Sequence, residues 1–146
     1  MTIRRLDNVA IVVDDLDAAI AFFSELGMEL EARTTIEGRW AELVVGLDGL
    51  RSEIAMMRVP GGDGRLELTR YESPEAVDLG LSTAPPNVLG LHRVMFAVDD
   101  IDDTVARLAR LGGAVLREVV RFEVAYRLCY LRGPGGVIVG LAEPLG

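Results

Sequence analysis

Apolar positions along this chain follow two periods, and the switch between them happens twice. Residues 6–17 read LDNVAIVVDDLD and residues 91–102 read LHRVMFAVDDID, an offset of 91 − 6 = 85 positions, and each apolar run ends in Asp-Asp. In the first run a period of two puts Leu6, Asn8, Ala10 and Val12 on one face. Asp7, Val9, Ile11 and Val13 fall on the other, the side expected to pack against a helix. The period then becomes helical. Leu16, Ala19, Ile20, Phe23 and Leu26 form a stripe between a capping Asp15 and a stopping Gly27. Ile101, Val105, Leu108 and Leu111 do the same between Asp100 and Gly112. Strand, Asp cap, helix and Gly stop in one register predict two copies of one supersecondary unit.

The rest of each copy reads as strands. After a first strand over 5–13 and its helix, extended segments are predicted at 28–35, 52–59 and 65–71, with PGGDG at 60–64 as the hairpin turn between the last two. The second copy repeats this at 91–98, 114–120, 125–132 and 137–143, with the turn GPGG at 133–136. That turn joins two strands, so a phosphate-binding role has little support. Between them, residues 72–90 contain Pro74, Pro85 and Pro86 and are read as a linker that spans from one module to the next. One segment has no counterpart in the second copy. In EGRWAELVVGLDGL, residues 37–50, Trp40, Leu43, Val44 and Leu47 are spaced as one face of a short helix. It reads either as a lid with Trp40 as an aromatic pocket wall, or as packing on a sheet edge or subunit interface.

Composition narrows the class. At 146 residues, half of them hydrophobic but with no apolar run near the length of a membrane span, the chain suits one soluble domain with a large core. The start, MTIRRLDN, has no signal-peptide pattern, so a cytoplasmic location is expected. A formal charge of −8 disfavours nucleic acid or an anionic membrane as partner. The single cysteine, Cys129, lies in an apolar strand pattern and reads as a buried, inert thiol.

The paired VDDLD and VDDID segments, each closing a strand and opening a helix, together with the C-terminal GPGGVIVGLAEP, resemble the vicinal oxygen chelate superfamily. This group includes glyoxalase I, bleomycin-resistance proteins, extradiol dioxygenases and methylmalonyl-CoA epimerase. The resemblance covers essentially the whole chain and implies an α+β fold. Two tandem βαβββ modules, 1–71 and 91–146 joined by the linker, would form a curled mixed sheet around a cleft with helices outside. It also implies, for metal-dependent members, a divalent ion held by one residue from the first and one from the last strand of each module. Those positions map here to Asn8, Glu67, Arg93 and Gly140. Only Glu67 is a good ligand, because Arg93 is a cation, Gly140 has no side chain and Asn8 is a weak neutral donor. His92 lies one residue from the mapped position and should face away unless a β-bulge turns it inward.

The expectation is therefore no cofactor, with a divalent metal on Glu67 and His92 as the alternative. Glu67 and Arg93 are expected to pair in the metal's place, either orienting a small molecule with Asn8 or filling a polar hole. Tyr126, Leu128 and Tyr130 share one face of the seventh strand, and Met56 lies with Ile54 and Arg58 on the third. With Trp40, the residues Met56, Tyr126 and Tyr130 would either line a pocket for a flat, greasy ligand or belong to the core. No serine or cysteine sits in a nucleophile motif, so catalytic residues are not assigned. The favoured reading is a metal-independent small-molecule binding protein of the bleomycin-resistance, antibiotic-resistance kind. The alternative is a glyoxalase-type lyase, epimerase or dioxygenase with an unusual metal site. Apolar edge strands make a homodimer the expected assembly.

Overall fold

The computed structural model describes residues 2–90 and 92–146. The chain divides into two compact units, one ending at Asp78 and the other beginning at Leu79. Each is a mixed sheet with a helix on one face.

In unit one, β1 (Val9–Val12) leads to α1 (Leu16–Leu26), β2 (Glu29–Glu37), α2 (Arg39–Val45), β3 (Arg51–Arg58) and β4 (Arg65–Ser73). The sheet order is β1-β4-β3-β2, with β1 parallel to β4 and the other pairs antiparallel. The expected alternation positions the core. Ile11, Val13, Ala55, Met57, Leu66 and Leu68 are buried on one side of the sheet, and α1 contributes Leu16, Ala19, Phe22 and Phe23. Phe22 lies outside the expected stripe. It is buried all the same, and its ring meets Phe23 edge-on, centroids 5.3 Å apart. Asp15 caps α1 by accepting the Ala18 N–H at 3.0 Å. Gly27 ends it at a φ of 120° that other residues rarely adopt.

Helix α2 forms inside 37–50 as expected, but its stripe points outward. Trp40, Leu43 and Val44 are 60%, 67% and 77% exposed, while the helix buries Ala41. Its hold on the unit is polar as well. Glu42 accepts the Gly49 N–H at 2.6 Å, and that bond, with Arg39, keeps its carboxyl below the usual range.

In unit two, β5 (Arg93–Ala97) leads to α3 (Ile101–Ala109), β6 (Ala114–Val115), β7 (Val120–Phe122), β8 (Tyr126–Arg132) and β9 (Ile138–Pro144). The expected start of β5 at Leu91 lies outside the described residues. The order is β5-β9-β8-β6, with β7 also paired to β8, and β5 is parallel to β9. Ile101, Thr104 and Leu108 of α3 pack with Cys129, Leu131, Val139 and Leu141 in the core. Asp100 caps α3 through the Asp103 N–H at 3.0 Å.

The single strand expected over 114–120 is broken in two. Val115 pairs with Leu131 and Val120 with Leu128, so five steps on one strand must span three on its partner. The surplus residues leave the ladder. The linker also differs from a simple span, because its second half docks on unit two. Arg132 donates to the carbonyls of Leu81 (3.3 Å), Ala84 (2.5 Å) and Gly136 (3.1 Å). A Cβ on Gly136 would stand 2.7 Å from the Leu81 carbonyl carbon, so only glycine lets the linker approach.

Candidate functional site

The strand register fixes how the repeat maps one sheet onto the other. Ala10 pairs with Glu67 in unit one, and Met95 with Gly140 in unit two; Met56 and Tyr130 are the partners of Glu67 and Gly140 on the other side. Each trio crosses three strands on the sheet face turned away from the helix.

In unit one this face carries Ala10, Glu67 and Met56, with Val12, Thr69 and Ile54 one step along. Glu67 is half-buried and accepts a hydrogen bond from the Thr69 hydroxyl at 3.2 Å. Asn8, also half-buried, precedes β1. Ion pairs close the rim, where Arg58 holds Glu29 at 2.5 Å and Arg65 holds Glu31 at 2.9 Å. Trp40 stands on the exposed stripe of α2.

In unit two the corresponding face carries Arg93, Met95, Gly140 and Tyr130, and it continues through Leu128 to Tyr126 and its partner Phe122. Gly140 has no side chain, and its neighbours use the room. A Cβ there would meet the Met95 Cγ at 3.0 Å and the Tyr130 Cε1 at 3.3 Å, so the two side chains close over the glycine. Arg93 completes the group. One of its N–H groups donates to the Tyr130 hydroxyl, and its guanidinium carbon lies 4.9 Å from the Tyr130 ring centroid. Met95, Phe122 and Tyr126 are each about half exposed, at 47%, 54% and 43%.

Within unit two the structure brings Arg93 and Tyr130 together, and within unit one Glu67 and Met56. Each of the two charged residues has a partner in its own unit. His92 precedes β5, and its carbonyl accepts the Ile138 N–H at 2.8 Å. β5 and β9 pair without a register shift, so alternation sets His92 on the side opposite Arg93. Among the described residues no three of His, Cys, Asp and Glu cluster as a metal site. Cys129 is buried on the helix side, and desolvation raises its thiol pKa, which makes it a poor nucleophile.

Met95 and Phe122 were not singled out from the sequence. The signal for Met95 was available, since it is the repeat of Ala10 at the offset of 85. Phe122 had none, because its face depends on the break between β6 and β7.

Comparisons with known proteins agree with this architecture. Residues 5–141 match the family model of the Glyoxalase/Bleomycin resistance protein/Dioxygenase superfamily. A glyoxalase family protein from Bacillus cereus is 50% identical, with 100% of this chain and 97% of that chain covered and a TM-score of 0.94. TnmS3, an antibiotic binding protein from Streptomyces sp. CB03234, shares the fold at 23% identity, with 99% and 98% covered and a TM-score of 0.60. The uncharacterized protein YwbC of Bacillus subtilis (strain 168) is 26% identical over 137 residues, covering 91% of this chain and 92% of its own. From its register, its repeat and these matches, the chain belongs to the glyoxalase/bleomycin resistance protein/dioxygenase superfamily.

Proposed function

We propose that this protein binds a hydrophobic or aromatic small molecule without a metal, on the face of the second sheet that carries Met95 and Tyr130. The observation that carries this reading is the filled position at Gly140. Where the family resemblance implies a metal ligand, the chain has no donor atom, and Met95 and Tyr130 occupy the space. Arg93, at a second implied ligand position, offers positive charge and no lone pair. Two of four positions therefore oppose a divalent ion. Glu67 and Asn8 are left as hydrogen-bonding groups, with Met56 beside Glu67 as an adaptable apolar contact. The same fold carries an antibiotic binding protein, TnmS3, so a binder lies within the range of this scaffold.

Trp40 is assigned to a subunit interface. A stripe of Trp40, Leu43 and Val44 this exposed is an apolar surface that a second copy would cover, giving a homodimer. No helix among the described residues is long and apolar enough to cross a membrane. A cytoplasmic location is the reading that fits a lone, buried, unpaired cysteine.

The test is titration of the protein with Nile red, a neutral aromatic dye, before and after dialysis against EDTA. Saturable binding that survives chelation is expected. Binding that disappears with EDTA and returns with a transition metal would overturn the metal-free reading, and no saturable binding would overturn the binder.

A further inference from the structure

Resting on that reading, we infer that the ligand of the second sheet is an aromatic carboxylate, its anionic group held by Arg93 and the Tyr130 hydroxyl and its ring laid toward Met95 and Tyr126. The argument begins with charge. The chain is strongly acidic, and on the helix side of the same sheet Arg127 is tied to Asp102 at 2.8 Å and Glu143 at 3.5 Å. Arg93 is different. It is exposed, and no carboxylate among the described residues of its own unit pairs with it. Tyr130 accepts one of its five N–H groups, which leaves donors in a planar fork suited to a carboxylate.

Tyr130 does two things here. Its ring lies under the guanidinium and limits the orientations the fork can take, and its hydroxyl, accepting from Arg93, keeps its own proton to donate. A carboxylate at this point receives an N–H and an O–H from two groups already held together, so little ordering remains to be done on binding.

The rest of the face is apolar and flat. Met95 lies over Gly140 next to Tyr130, and Tyr126 lies four residues along β8, about 13 Å away at the usual rise of a strand. Phe122 flanks Tyr126 across the β7–β8 pair. Aromatic edges and a thioether in that span suit a ligand of two or three fused rings. An acid group at one end and a ring system along the strand is the chemistry the face presents.

The experiment compares 2-naphthoate with 2-naphthamide, which has the same shape without the charge, by calorimetric titration of the full chain. The wild type is expected to prefer naphthoate by about tenfold or more, the scale of a hydrogen bond to a charged group. Arg93→Gln should bring the ratio to near one. Tyr130→Phe, which keeps the ring, should lower it less. Equal binding of the two probes by the wild type, or a preference that survives Arg93→Gln, would overturn the carboxylate assignment while leaving the small-molecule reading intact. So would binding of Nile red with neither naphthalene. Failure of all three probes would overturn both.

Discussion

The two units perform one structural task with opposite charges. On the helix side of unit one, Glu53 of β3 faces Arg70 of β4; at the repeat-related place in unit two, Arg127 of β8 faces Glu143 of β9. Both helices carry an aspartate in the first turn, Asp17 and Asp102, 85 positions apart. In unit two Arg127 reaches Asp102 directly, with bonds of 2.8 and 2.9 Å. In unit one the same position is Glu53, which repels Asp17, so Arg33 of β2 bridges them at 2.6 Å to Asp17 and 2.7 Å to Glu53. That bridge needs a continuous β2, and the strand that replaces it in unit two is broken. The repeat preserves the tie between helix and sheet and lets its residues change. On the opposite faces the contrast lies in how the arginines are paired, since unit one pairs Arg58 and Arg65 with glutamates while unit two leaves Arg93 with a tyrosine.

The largest test of this equivalence lies in the cores. Leu68 and Leu141 occupy matching sites on β4 and β9, both fully buried. Changing either to alanine should cost about 2–5 kcal/mol in urea unfolding. A negligible loss at one site would show that the two cores are not alike. Next comes the turn before each final strand. Gly136→Ala should cost about 2–4 kcal/mol, because a φ of 80° and a 2.7 Å approach to Leu81 act together. Gly61→Ala has a φ of 73° but nothing within 4 Å, so about 1 kcal/mol is expected. Equal losses would mean that the linker does not dock on unit two.

The smallest effect is on pH dependence. Arg127 lowers the pKa of Asp102, and Arg33 lowers that of Glu53, in each case against a weaker opposing desolvation. A folded-state pKa below the unfolded one gives stability that is present above the unfolded value and lost as pH falls through the folded one. Arg127→Gln should therefore reduce Tm slightly near neutrality and flatten its decline below about pH 4, the usual aspartate range. Arg33→Gln should do the same through Glu53. An unchanged acid limb in both variants would show that these exposed pairs are inert.

Much of this was legible in the sequence because period and repeat act locally. The Asp caps, the Gly27 stop, the α1 face apart from Phe22 and the shared side of Tyr126, Leu128 and Tyr130 follow from spacing. Two features did not. The outward turn of Trp40 depends on Ala41 being the residue that α2 buries, and helical spacing cannot say which face a neighbour will cover. The contact of Arg93 with Tyr130 is the other, a relation that exists only once β5, β9 and β8 are in register. The docking of residues 81–84 on Arg132 is of the same kind, made by contacts far apart in the chain.

The most direct measurement is an amide NMR titration of the labelled protein with 2-naphthoate in the presence of EDTA. Saturable shifts concentrated at Arg93, Met95, Tyr130 and Gly140 are predicted. Shifts confined to unit one, or none until a divalent metal is added, would contradict a metal-free ligand face on the second sheet.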